Sequence, residues 1–233
     1  MNNPLVTIIV VPRERYQFAR ESLESLYENT TFLFDLVYVD NNSPAKLRRY
    51  LEIQAEVKGI MLISSDRYLS PNQARNLGLA HVSSKYVLIV DNDVIFAPNW
   101  LTPLIGCAEA TEATVVGSLV CQYQPFHEIV HCAGGEYMSA KEYAEFTQGL
   151  PHPGDCEASR RHRSKWRIEE KTPYQNQRIE EVSDRLKREP TSFVEFHSML
   201  VRTEIFEEIG MLDERFCCTK EYIDFCMNVT SAG

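Results

Sequence analysis

Short apolar runs alternate with stretches whose apolar positions recur every three or four residues, and this alternation predicts an α/β chain. Val6 to Val11 is a continuous apolar run closed by Pro12. It has the length and β-branched content of a buried strand. Residues 17–28 then place Phe18, Ser22, Leu23 and Leu26 on one helical face. Leu36 to Val39 is a second strand, ending in Asp40-Asn41-Asn42-Ser43-Pro44. There Ser43 suits a helix N-cap and Pro44 the first helical position, which predicts a helix to about Val57. Ile60 to Ile63 is a third strand. Ser70-Pro71 repeats the cap-and-proline start before a helix carrying Ala74, Leu77, Leu79 and Ala80. The fourth strand, Tyr86 to Val90, stops at Asp91-Asn92-Asp93. Strand and helix in strict alternation predict a parallel sheet with right-handed crossovers. Strands one, two and four all end in polar or charged residues on one edge of that sheet. Open α/β sheets bind ligands at that edge, so it is the expected site.

Beyond Trp100 the pattern changes. A helix over 100–110 leads to an apolar strand over 115–120. Residues 123–190 are weakly periodic. From Arg160 to Glu189 the chain is crowded with charge, interleaved with Trp166 and Tyr174. That predicts a surface excursion, with an acceptor-binding flap as the alternative. Phe193 to Val201 returns as an apolar strand, and Thr203 caps a short helix that stops at Gly210. Glu221 to Ala232 reads as a final helix with Ile223, Cys226 and Met227 inward. The expectation is one domain over 1–233, with a ligand-binding half at 1–110 and a smaller half at 111–233. Because the chain stops directly after the last helix, a truncated C-terminus is also expected.

Composition narrows the function. A net charge of −9 argues against a general nucleic-acid binder. A phosphorylated ligand would therefore need local help from a cation, arginines or helix N-termini. No stretch approaches the roughly twenty apolar residues of a membrane span. The N-terminus lacks the layout of a signal peptide. Seven cysteines, with no Cys-x-x-Cys pair, read as reduced thiols in a cytoplasmic protein. Cys217, Cys218 and Cys226 fit no zinc spacing, so core packing is expected of them.

Asp91 and Asp93 carry the sharpest chemistry. Two carboxylates so close repel each other unless a cation sits nearby. Hard divalent ions prefer oxygen ligands and often bridge carboxylates to substrate phosphates. A metal-dependent site for a phosphorylated ligand follows, against the plainer reading of a solvated turn. Glu221 and Asp224, three apart, share a helical face; acids that merely suit the helix N-terminus are the plain alternative. His197, in an apolar strand, reads as a satisfied core histidine.

Taken in order, these motifs resemble a known family. They are the strand ending at Pro12, Val-Asp-Asn-Asn-Ser at 39–43, Ala-Arg-Asn-Leu-Gly at 74–78 and Asp91-Asn92-Asp93. Met-Leu-Asp-Glu-Arg-Phe at 211–216 and Glu-Tyr-Ile-Asp-Phe at 221–225 complete the set. The chain resembles a family 2 glycosyltransferase from Val6 to Gly233, apart from the stretch near 123–190. The resemblance implies a GT-A fold: a Rossmann-like, mostly parallel sheet flanked by helices, with a smaller acceptor-side portion. It implies a nucleotide-diphosphate sugar donor, Mn²⁺ or Mg²⁺, and a glycan, lipid or protein acceptor. Pro12, Glu14, Asp40 and Asn42 then belong to the nucleotide pocket, with Asp40 accepting from the base. Arg75 lies near base or diphosphate. Asp91 and Asn92 lie on the nucleotide-sugar side. Asp93, with Asp91 beside it, holds the metal of the Asp-x-Asp motif. Asp213 and Glu214 fall on the acceptor side. The general base of an inverting transfer is Glu221 first and Asp224 second, because Tyr222 replaces the Asp of the family's Glu-Asp pair.

Two other classes fit parts of the pattern. A haloacid-dehalogenase-type phosphatase also ends an apolar strand in Asp-x-Asp, with the first Asp as nucleophile. Its motif normally closes the first strand, whereas three strand-helix units precede this one. A non-catalytic nucleotide-sugar-binding module is the third reading.

Overall fold

The computed structural model describes residues 4–12, 15–122, 127–139, 141–142, 145, 168–217 and 220–233. In chain order the elements are β1 (Val6–Val11), α1 (Ala19–Asn29), β2 (Phe34–Asn41), α2 (Ala45–Lys58), β3 (Met61–Ser65), α3 (Pro71–Leu79) and β4 (Tyr86–Asp91). There follow α4 (Leu101–Thr111), β5 (Val115–Gly117), β6 (Val120–Gln122), β7 (Ile129–Cys132), β8 (Glu136–Ser139) and β9 (Ile168–Lys171). The last are α5 (Ile179–Val182), β10 (Ser198–Arg202), α6 (Ile205–Ile209) and α7 (Glu221–Ala232). The backbone forms two compact units, one of Met1–Ser118 with Val194–Gly233 and one of Leu119–Phe193.

In the first unit the strands form one sheet in the order β3-β2-β1-β4-β10-β5. The pairings β3-β2, β2-β1 and β1-β4 are parallel, as the alternating pattern predicts. β10 is antiparallel to both β4 and β5, so the sheet is mixed. β1 and β4 are buried along their whole length. On one face Val6, Ile8, Val10, Tyr86, Leu88 and Val90 pack with Leu23 and Leu26 of α1, Leu51 of α2 and Leu101, Leu104 and Ile105 of α4. Each fully buried side chain of this kind contributes roughly 1.5–3 kcal/mol. The opposite face takes α3. Its Gly78 lies so close to β1 that a Cβ there would stand 2.5 Å from Ile9 Cγ2.

Some boundaries move. α2 starts at Ala45, one residue after Pro44, because the Asp40 side chain holds the Ser43 N–H and makes the preceding turn. α3 starts at Pro71 as expected, and the Ser70 N–H donates to Gln73 Oε1 at 3.1 Å. Leu77 faces solvent; the buried positions of α3 include Asn72, Ala74, Arg75 and Gly78. The apolar run over 115–120 divides: β5 ends at Gly117, where a Cβ would stand 2.4 Å from Val194 Cγ1, and β6 starts at Val120. α7 runs from Glu221 to Ala232 with Ile223, Phe225 and Cys226 buried, and Met227 only half-buried.

Among its described residues the second unit holds two antiparallel pairs, β6-β7 and β8-β9. An ion pair of 2.7 Å joins Arg178 to Glu128. The Gly134-Gly135 turn is held by Thr191, whose Oγ1 accepts the Gly135 N–H at 2.6 Å. Gly134 has φ 77°, a conformation open to glycine, and Thr191 fills the space a side chain would need. Of the charged excursion, Tyr174 is stacked by Arg185 at 5.3 Å, while Trp166 lies outside the described residues.

Candidate active site

The site follows from the two-residue period of the strands. Even-numbered residues of β2 face α1 and α2. Asp40, at the end of that row, therefore meets α2: its Oδ2 accepts from Arg48 Nε at 2.9 Å. Its Oδ1 accepts the Ser43 N–H at 2.9 Å, so both oxygens of this fully buried carboxylate are engaged. Odd-numbered residues of β1 and β4 face α3. Asp91 closes that row and meets Arg75, whose Nη2 lies 3.6 Å from Asp91 Oδ1.

Arg75 is fully buried, and its partners explain how. Nη1 donates to Asn72 Oδ1 at 3.1 Å and pairs with Glu221 Oε1, also at 3.1 Å. The guanidinium lies over the Phe196 ring, 4.0 Å from its centroid. A buried cation persists only when paired and hydrogen-bonded in this way. The next residue of the Ala-Arg-Asn motif acts differently. Asn76 takes the Leu212 N–H on Oδ1 and donates Nδ2 to the Leu212 carbonyl, at 3.1 and 2.9 Å. With Asn72 donating to the Asp213 carbonyl at 2.9 Å, α3 clamps the Met211–Arg215 segment.

The tips of three strands reach the same edge. Val10 stands beside Tyr38 and Val90, and Val11 beside Asp91, so Pro12, Asp40 and Asn92 fall level with one another. At about 4.8 Å per strand, the tips of β2 and β4 stand roughly 10 Å apart. Pro12 and Asn92 are buried and Asn42 is exposed. Glu14 lies outside the described residues. Asn42, Arg15 and Lys220 have φ of 57°, 51° and 64°. All three sit beside site residues, where left-handed backbone in non-glycine residues tends to gather.

Asp93 differs from Asp91 in its surroundings. Its side chain is 21% exposed and pairs with Arg15 Nη1 at 3.3 Å, on an arginine that is itself 69% exposed. A hard cation displaces such an exposed ion pair at little cost. Asp93 therefore fits a divalent metal. Asp91 has a cationic group near each oxygen, which suits a carboxylate held in place.

On α7, Glu221 is buried against Arg75, and its Oε2 has no hydrogen-bond partner among the described residues. Asp224 is half-buried, with Asn228 Nδ2 donating to it at 3.3 Å. Burial, and then the neighbouring Asp213 charge, raise the Asp224 pKa, with Arg215 opposing. Asp213 is gripped by Arg215 through Nε and Nη2, which holds its carboxyl below the ordinary range. Glu214 accepts from Asn76 Nδ2 at 3.0 Å.

His197 was not legible as a site residue. Ser198 stands opposite Val90, so the antiparallel β10 brings the preceding His197 opposite Asp91. Its Nδ1 lies 2.7 Å from Asp91 Oδ2 and its Nε2 lies 3.2 Å from Glu195 Oε2. Burial opposes the charged ring, but the two carboxylates outweigh it and push the pKa up to about 10. Cys226 is buried core, as expected; Cys217 is exposed and Cys218 lies outside the described residues.

Residues 7–210 match the family model described as glycosyl transferase family 2, and the chain belongs to that family. This sets aside the phosphatase reading of Asp91. The uncharacterised protein y4gI of Sinorhizobium fredii is 25% identical over 236 residues, covering 99% of this chain and 23% of that protein. Among solved structures, S. aureus TarS 1–349 in complex with UDP superposes with a TM-score of 0.55 at 17% identity, covering 97% of this chain and 55% of that one. The mannosyltransferase PcManGT from Pyrobaculum calidifontis, in complex with GDP-Man and Mn²⁺, gives 0.53 at 15%, covering 92% and 49%. The fold is thus the GT-A arrangement that the motif order implies. The chain spans about a quarter of the relative and about half of each solved chain.

Proposed function

We propose that this chain transfers a glycosyl group from a nucleoside-diphosphate sugar to an acceptor hydroxyl, with inversion at the anomeric carbon. The observation that carries this reading is the convergence of the polar tips of β1, β2 and β4 on one edge, in a family 2 chain. Pro12, Glu14, Asp40 and Asn42 are assigned to the nucleotide, and Arg75, Asp91 and Asn92 to the nucleotide-sugar side. Asp93 would hold Mn²⁺ or Mg²⁺, whose charge would stabilise the departing diphosphate. The two superposable chains with UDP and with GDP-Man and Mn²⁺ support a nucleotide and a divalent ion here.

For the base, the surroundings favour Asp224 over Glu221. Glu221 is committed to the buried Arg75, whose ion pair holds its side chain in place. Asp224 is accessible and its pKa is raised, as suits a group that must take a proton near neutral pH. The acceptor hydroxyl gives its proton to Asp224 as its oxygen bonds to the anomeric carbon. The bond from that carbon to the diphosphate breaks on the opposite side. Asp213 and Glu214 are assigned to the acceptor, a glycan, lipid or protein.

Among the described residues no helix is long and apolar enough to cross a membrane. The free thiols of Cys107, Cys121, Cys217 and Cys226 suit a reducing, cytoplasmic compartment.

Thermal-shift measurements with UDP, GDP, dTDP and CMP, each with and without Mn²⁺, test the reading. A metal-dependent rise in melting temperature with at least one nucleotide is expected; no rise with any of them overturns it. Binding without transfer or donor hydrolysis would leave the binding-module reading in its place.

A further inference from the structure

Five side chains of the first unit form a line of alternating charge: Glu195, His197, Asp91, Arg75 and Glu221. The successive gaps are 3.2, 2.7, 3.6 and 3.1 Å. They come from four places in the chain: the approach to β10, the tip of β4, the first turns of α3 and the start of α7. Resting on the function proposed above, we infer that His197 is a positioning residue, whose Nδ1–H fixes the Asp91 carboxylate so that the tip of β4 meets the nucleotide in one geometry.

The argument is geometric. Nδ1 approaches Asp91 Oδ2 while Arg75 lies on the side of Oδ1, so both edges of that carboxylate face a cationic group. Each ring nitrogen faces a carboxylate oxygen, and Asp91 Oδ2, at 2.7 Å, is the acceptor for an Nδ1–H. A flipped ring would turn Cδ2–H and Cε1–H toward the two carboxylates, so the pairing selects one ring orientation. The carboxylate so held is followed by one buried residue, Asn92, and then by Asp93, the group open to a cation. Relaxing Asp91 therefore loosens the backbone that presents Asp93. A ring present only to fill the core would sit among apolar side chains and need no acid on either side.

The test compares His197→Asn with His197→Gln in the 233-residue chain. An Asn amide nitrogen reaches the place of Nδ1, whereas a Gln amide reaches that of Nε2. Binding of UDP and of GDP with Mn²⁺ is measured by calorimetry, and unfolding is followed in parallel. The expected result is that His197→Asn stays within about threefold of the unaltered chain. His197→Gln weakens the bound nucleotide about 10- to 100-fold, as loss of an orienting hydrogen bond does, with equal melting temperatures. Equal binding by all three forms overturns the inference, and so does equal weakening in both variants. Unfolding of both variants also overturns it, since the ring would then serve the fold. An unaltered chain that binds neither nucleotide overturns the functional reading itself, a result distinct from any difference between the variants.

Discussion

Arg75 Nη1 and Glu221 Oε1 stand 3.1 Å apart across 146 residues of sequence, both fully or almost fully buried. One belongs to α3, which packs on the parallel half of the sheet; the other starts the last helix. The pair ties α7, and with it Asp224, to the β4 tip through Asp91. Charges withdrawn this far from water must be paired to persist, and loss of one partner strands the other.

Arg75→Ala is therefore expected to cost about 3–5 kcal/mol of unfolding free energy. Arg75→Met, which keeps a side chain against Phe196, should cost less, though Glu221 and Asp91 lose their partner in both. Urea denaturation at unchanged slope measures the two. A loss below about 1 kcal/mol for the alanine variant would contradict the pairing.

Asp93→Ala should leave stability within about 0.5 kcal/mol, because the side chain is partly exposed and its ion pair with Arg15 is solvated. The Mn²⁺-dependent rise in melting temperature with nucleotide should vanish. Persistence of metal-dependent stabilisation in this variant would remove Asp93 from the metal.

Asp224→Asn should lower kcat by about 10²–10⁴-fold with a small change in KM for the donor. A base must be ionised to act, so kcat/KM falls as pH drops through the Asp224 pKa. Burial and the Asp213 charge raise that pKa, which places the acidic limb above the ordinary aspartate range. Asp213→Asn removes a repelling negative charge, eases ionisation of Asp224 and should move the limb to lower pH. A pH-rate profile of both variants decides it; an unmoved limb would exclude Asp224 as the titrating base.

Gly78→Ala tests how closely α3 lies on the sheet. The added Cβ would stand 2.5 Å from Cγ2 of Ile9, a residue with no exposure. Helix propensity favours alanine by about 1 kcal/mol, but overpacking in a filled core typically costs 1–3 kcal/mol. A net loss of stability is expected, and a gain in chemical denaturation would show that the core yields.

β1 and β4 were legible because both are buried on both faces and so read as nearly continuous apolar runs, from Val6 to Val11 and from Tyr86 to Val90. Ser70-Pro71 marked its helix because cap chemistry is local. Pro44 was misread by one residue because Asp40, four positions earlier, shapes that turn with its own carboxylate. Leu77 was misread because α3 buries polar residues, Asn72 and Arg75, which apolar periodicity does not register.

His197 shows where sequence reading stops. Alternation along a strand says which residues share a face, but not which neighbouring strand will lie opposite. The antiparallel approach of β10 to β4, and the register that sets Ser198 against Val90, arise from pairing between segments about a hundred residues apart. The order of strands and helices, the acidic tips and the family resemblance are written in local pattern, since burial period and turn chemistry act within a few residues. The pairing of Arg75 with Glu221, the pinning of Asp91 and the contrast between a committed Glu221 and an accessible Asp224 depend on distances between remote segments, and these exist only once the sheet has closed and α7 has docked.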